Sequence, residues 1–369
     1  GNGHVIKNLS AYGEKDYYAL FFLNEGLIKN IGLEDVNINI LGYASGIATI
    51  NYHGKIENSY VTGTIKGQIV GGLVAGNFPD DELGTPAYIN NCYTDVIVEG
   101  STVGGLVGEN LSNISNSFAL GDVSVGKDAG GLVGANLGVI DNSYAVGNIT
   151  TTKDAARLGG LVGANGGEIN NSFASGDVTS TGYAGGLVGI NSYDQSDGDI
   201  SNSYRFMGQL VTAEYTKNYF GKDISIDDLK IDAFYNNSLL WNENIWDLSK
   251  ATEGYYPVHH NSDAFDTIPT EYREGSLGNP IKISTKAELI NIGSNAGYAY
   301  TLVDDIDLAG EEWTPLEGFM GEFSGNGYII SNLIITTVSD DWNIMLGLFA
   351  ENYGILRNFH LENISINVS

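Results

Sequence analysis

Apolar and polar positions alternate in runs of four to six residues through most of the first 210 positions, as in strands with one buried face. The 3.6-residue recurrence of an amphipathic helix is missing there. Glycine punctuates the runs, and the punctuation repeats. Gly-Gly-Leu-Val stands at Gly71–Val74, Gly104–Val107, Gly130–Val133, Gly159–Val162 and Gly185–Val188, each followed by an asparagine: Asn77, Asn110, Asn136, Asn165 and Asn191. Between them runs a second block, Ile-x-Asn-Ser-aromatic, with asparagines Asn58, Asn91, Asn116, Asn142, Asn171 and Asn202. Its aromatics are Tyr60, Tyr93, Phe118, Tyr144, Phe173 and Tyr204. Successive glycine pairs begin 33, 26, 29 and 26 residues apart, so one unit is 26 to 29 residues with one longer insertion. Degenerate copies at Gly46–Asn51 and Ala19–Asn24 bring the count to about seven units over residues 19–210.

A unit this short cannot bury its own apolar face, whereas stacked units share one core. Stacking at the ~4.8 Å strand spacing turns each repeated residue into a ladder along the axis. The expected fold is therefore all-β, a right-handed parallel β-helix; the hand follows from the rarity of left-handed parallel crossovers. Leu and Val of Gly-Gly-Leu-Val are expected to line the core. The aromatic ladder is expected inside or at a corner, where offset rings add to area burial. Both asparagine rows are expected to satisfy turn backbone groups and to bond one another. The glycines are expected to provide positive φ or close backbone approach. Cys92 takes a rung held elsewhere by Ser59, Ser117, Ser143, Ser172 and Ser203, which reads as a small buried side chain.

Gly-Gly-Leu-Val-Gly-x-Asn followed by Ile-x-Asn-Ser-Tyr-Ala-x-Gly resembles the GLUG repeat of bacterial surface proteins. That repeat occurs in large adhesins and in the non-catalytic N-terminal region of certain immunoglobulin-A-cleaving metallopeptidases. The resemblance covers residues 19–210 and weakens at Gly46–Asn51, where the double glycine is absent. It implies a cell-surface, extracellular setting and an architecture, and no catalytic residue.

After Tyr204 the pattern changes. Residues 1–210 read as the coil stack, and 211–260, with Trp241, Trp246 and Tyr255-Tyr256-Pro257, as its C-terminal cap. Ser225 has the position of a helix N-cap. Residues 261–279 read as a linker, and 280–369 as the capping module and first coil of a second β-helix, opened by the capping box Thr285–Glu288. The two ends match each other. Gly1-Asn-Gly-His-Val-Ile-Lys-Asn-Leu9 parallels Gly325-Asn-Gly-Tyr-Ile-Ile-Ser-Asn-Leu333, and Asn24–Asn30 parallels Asn352–Asn358. The offsets are 324 and 328 residues, which predicts a tandem array of that period; one protein with two related β-helix segments is the plainer alternative. The absence of an initiating methionine suggests a piece of something longer.

Composition narrows the partners. Seventeen basic residues against 45 acidic give a net charge of −28, which repels nucleic acid and anionic membranes alike. No apolar run reaches the ~20 residues of a membrane span, so no insertion is expected from this segment. One cysteine excludes an internal disulfide. Asp194, Asp197 and Asp199 place three carboxylates in six residues, a possible Ca²⁺ loop without the usual Asp-x-Asp-x-Asp-Gly spacing. The five histidines form no His-Glu-x-x-His pattern, and His259-His260 read as surface residues. A β-helix lyase or glycosidase, or a glycan-binding domain, is the alternative class. Lyase chemistry needs cations beside a base, yet the only arginines are Arg157, Arg205, Arg273 and Arg357, and they are scattered. The expected role is a non-catalytic structural or adhesive module, without a required cofactor. Its partners would be neighbouring copies of the unit, or glycans and proteins of a host or nearby cell.

Overall fold

Each repeat closes one turn of a parallel β-solenoid in the computed structural model, which describes residues 1–151, 156–213, 216–218, 220–260, 262, 264–295, 297–337 and 345–368. The whole chain makes about 13 turns. Seven strands stack on one face, from Phe21–Asn24 to Val188–Ile190, and seven on a second, from Leu27–Lys29 to Asp199–Ser201. A 20-stranded sheet forms the remaining side. Register follows the motif: Val74 pairs with Val107, Val107 with Val133, and Val133 with Val162. On the second face Ile28, Ile56, Ile89, Ile114, Ile140, Ile169 and Ile200 form one ladder.

Leu73, Leu106, Leu132, Leu161 and Leu187 are fully buried, with the valines that follow them, in one core running up the tube. The Gly-Gly pair is a steric requirement of this stacking. A β-carbon on Gly105 would lie 2.1 Å from Gly131 O of the next turn, and one on Gly104 would lie 1.9 Å from Val107 O. Neither glycine has positive φ. The left-handed corners are instead taken by asparagine: Asn58, Asn91, Asn116, Asn142, Asn171 and Asn202 all have φ between 44° and 55°.

The top of this stack is closed by polar groups. The core ladder Thr94, Ala119, Ala145, Ala174 ends on Arg205, whose Nε donates to Asp223 Oδ1 at 2.8 Å. Gln209 Nε2 donates to Gly176 O and Gly186 O at 2.7 and 3.0 Å. Lys222–Ile224 adds a further rung on Tyr204–Phe206, and Ser225 caps the short helix Ile226–Leu229 through a capping box with Asp228.

The segment expected to cap the end does something different. Residues 234–268 run back down the outside of the stack and form a second core there. The stretch expected to be a linker also packs on the stack. Ile268 is buried, Tyr272 stacks on Phe206 at 5.9 Å, Arg273 pairs with Asp177, and Gly278 N–H donates to Met207 O. The remaining residues build a third core around Leu302, Trp313, Phe319 and Phe323, with the helix Lys286–Ile290 opened by the Thr285–Glu288 capping box.

The likeness of the two ends extends to register. Val5 pairs with Gly32 and Ser10 with Asn37; at the other end Ile329 pairs with His360 and Ile334 with Ser365. These partners are displaced by the same 324 and 328 residues. Gly1 and Gly325 close equally on the carbonyls of Asn30 and Asn358.

Candidate functional site

The asparagines after Gly-Gly-Leu-Val form a single amide chain inside the tube. Asn24 Nδ2 donates to Asn51 Oδ1 at 2.7 Å, Asn51 to Asn77 at 2.8 Å, and Asn77 to Asn110 at 2.8 Å. Asn110 then donates to Asn136 at 2.7 Å, Asn136 to Asn165 at 2.8 Å, and Asn165 to Asn191 at 2.8 Å. The rungs from Asn51 to Asn165 are fully buried. Every amide points its donor toward the C-terminal end, where Asn191 Nδ2 meets Gly198 O at 2.7 Å. In low dielectric such aligned bonds strengthen one another.

The serine rung beside the left-handed asparagines is equally regular. Ser143 Oγ donates to Asp141 O at 2.8 Å and accepts the Ser117 N–H at 3.1 Å, and Ser117 and Ser172 repeat the pattern. Cys92 sits in this row with its thiol 3.4 Å from Asn90 O, and burial pushes the thiol pKa up to about 12. The second asparagine row bonds less evenly: Asn91 donates to Asn58, and Asn202 to Asn171, but Asn116 donates to Asn90 and Asn171 to Asp141.

The aromatic ladder faces outward, neither inside the tube nor at a corner. Tyr60, Tyr93, Phe118, Tyr144 and Phe173 stack at 4.9 to 5.0 Å with interplanar angles of 2° to 5°. The reason is the alternation within each strand. In Phe118-Ala119 and Tyr144-Ala145 the small alanine points into the narrow tube, which forces the ring out. These outward rings are then covered by the descending segment. Trp241 stacks on Trp246 at 4.4 Å and lies 5.8 Å from Phe173; Trp246 lies 5.9 Å from Phe118, and His259 5.0 Å from Phe118.

Hydrogen bonds pin the strap at each step. Trp241 Nε1–H donates to Asn171 O, Tyr256 Oη to Ser175 Oγ, and Tyr144 Oη to Pro257 O, each at 2.8 Å. His259, expected at the surface, is 7% exposed. Its Nε2 lies 2.8 Å from Asn116 O and so must carry the proton, since a carbonyl only accepts. Burial lowers the His259 pKa to about 4. His260 is exposed, with Nε2 2.8 Å from Glu243 O.

Below the strap lies a groove of about 940 Å³, bounded by Tyr60 and Tyr93, by the strap at Asn244–Ile245 and His259–His260, and by Gly3–Val5. Glu34, Asp35 and Asp95 also line it. On another side Arg157 engages both oxygens of Asp128, at 2.5 and 2.6 Å, and Asp128 is 1% exposed. That carboxylate is committed to its partner. The three aspartates of the acidic loop do not converge. Asp194 and Gln195, with φ of 48° and 64°, turn a hairpin between Ser192–Tyr193 and Ser196–Asp197, and Asp199 belongs to the next strand. Among the described residues no group of three or more His, Cys, Asp or Glu side chains is placed to hold a metal. No helix among them is long and apolar enough to cross a membrane.

This is a β-solenoid with its chemistry in ladders. The chain carries GLUG motifs: the profile of that motif matches residues 99–124, 126–150 and 154–179. A protein of Evansella cellulosilytica described as a Gly-rich membrane protein is 32% identical over 125 residues, which is 31% of this chain and 14% of that relative. The chain thus matches only a small part of that relative's length. A solved structure from Bacteroides ovatus, assigned as an immunoglobulin A1 protease, aligns with a TM-score of 0.47 and 23% identity over 71% of this chain and 77% of the other.

Proposed function

We propose that this chain is a non-catalytic structural module of a bacterial cell-surface protein, repeated in tandem to give reach. The observation that carries this reading is the shared register of residues 1–40 and 325–368, which lets one unit lead into the start of the next. The GLUG motifs and the membrane-protein description of the Evansella relative support a surface setting. Polar groups spent on ladders, such as the buried amide chain and the Asp128–Arg157 pair, support a role in holding shape. On this reading residues 1–210 form the stack, 211–279 tie it together, and 280–369 begin the following unit.

Constructing one, two and three copies of the unit at the 324-residue spacing tests it. Electron micrographs should reveal rods that lengthen by equal steps. Beads on flexible connectors would refute the proposal, and so would cleavage of any polysaccharide or immunoglobulin substrate by the single unit.

A further inference from the structure

The outward aromatic ladder is longer than the strap that covers it. The strap reaches Tyr93 and Phe118 with His259 and then turns back, since Tyr256 N–H bonds Asp266 O. Tyr60, one rung further, continues the stack at 4.9 Å from Tyr93 and borders the open groove. Its ring is held in place. It leans over Gly32, where a β-carbon would lie 2.5 Å from the ring, and its hydroxyl donates to Glu34 Oε1 at 2.8 Å. A rigid, half-buried tyrosine of this kind presents an apolar surface with little entropy to lose on binding.

Around the ring the groove is polar and of one sign. Asp35 and Asp95 line it as exposed carboxylates, Glu34 is neutralised by Lys7 at 2.6 Å, and no lysine or arginine is among the described lining residues. Asn91 adds a buried amide oxygen that has no hydrogen-bond partner among the described residues, while its nitrogen is spent on Asn58 at 2.5 Å. Its 940 Å³ lies within the ~300–1,000 Å³ of small-ligand sites. The occupant must offer an apolar face for Tyr60, several hydrogen-bond donors, and neutral or positive charge.

We infer that this groove binds a pyranose chain carrying free amino groups, with a sugar face on Tyr60 and an ammonium on Asp95. A uronate or sialate chain would be repelled by the same carboxylates. A basic peptide satisfies the charge but makes no use of the fixed ring. The inference does not depend on the tandem-array reading, because the groove lies on the flank of a single stack.

Titration of the full chain with a glucosamine hexamer tests it, alongside its N-acetylated counterpart, a galacturonate hexamer and a lysine hexapeptide. Calorimetry gives the affinity, and tryptophan fluorescence follows the wall, since Trp246 stacks at 4.7 Å on His259. The glucosamine hexamer should bind saturably and at least tenfold more tightly than the other three. Asp95→Asn, an exposed position, should weaken it about tenfold, as expected for loss of one charge-assisted contact. Tyr60→Leu should do the same, with unchanged melting of Asp95→Asn certifying the fold. Equal binding of galacturonate, of the peptide or of the acetylated chain overturns the assignment, as does undiminished binding by Asp95→Asn.

Discussion

Replacing Asn110 with leucine isolates what the internal amide chain contributes. The side chain is fully buried, accepts from Asn77 Nδ2 at 2.8 Å and donates to Asn136 Oδ1 at 2.7 Å. Leucine has nearly the same volume but leaves Asn77 without its acceptor and Asn136 without its donor. Each orphaned buried group costs about 1–3 kcal/mol, so Asn110→Leu should lose about 4 kcal/mol. The end rung offers an internal control. Asn24→Leu orphans only Asn51 Oδ1 and should cost about 1–2 kcal/mol. Asn110→Asp separates bonding from packing. At neutral pH it places a carboxylate oxygen against Asn136 Oδ1, so its folded pKa must rise above the unfolded ~3.9. Its stability relative to the parent should therefore be best below pH 4, where a protonated carboxyl can donate, and fall as pH rises. Urea unfolding followed by tryptophan fluorescence gives all three numbers. A loss under about 1 kcal/mol for Asn110→Leu, together with no pH response in Asn110→Asp, would refute a stabilising role for the chain.

Three further outcomes follow from the same geometry. His259 has a folded pKa of about 4 against 6.5, so the stability tied to its neutral form is present above pH 6.5 and lost as pH falls toward 4. The loss amounts to about 3 kcal/mol, and His259→Gln should flatten the stability profile between those values. Gly105→Ala drives a β-carbon to 2.1 Å from a backbone oxygen and should cost about 3 kcal/mol, whereas Gly26→Ala meets nothing within 4 Å and should be neutral in the same melts. Cys92, buried with its thiol pKa near 12, should resist iodoacetamide at pH 8 until denaturant is added; alkylation of the native chain at the rate of a free thiol would contradict its placement.

The stack was legible in the sequence because a solenoid writes its contacts at the period of its own chain. Asn77 and Asn110 are neighbours in space for the same reason that they are equivalent in the motif. The orientation of the aromatic row was harder to read, because large rings are ordinarily assigned to the interior. The alanine after Phe118, Tyr144 and Phe173 is the signal that a narrow tube takes the small residue and expels the large one. The strap left no periodic trace. Trp241 meets Asn171 across 70 positions, and His259 meets Asn116 across 143. These contacts recur nowhere else, so Trp241, Trp246 and Tyr256 read only as a closing segment. His259 read as exposed for the same reason, its covering partners lying far away in the chain.

The strap also decides how the module responds to pulling. A bare solenoid under tension can shed its turns one at a time, each peeling from the last like thread from a spool. Here a cord fastened at Asn171, Ser175, Tyr144 and Asn116 runs across successive turns. Turns from Asn116 to Ser175 cannot unwind from the C-terminal side until that cord is stripped away. Stretching should therefore meet one tall force peak followed by many small ones, which makes the fastened portion a mechanical fuse and the unfastened turns its reserve of length.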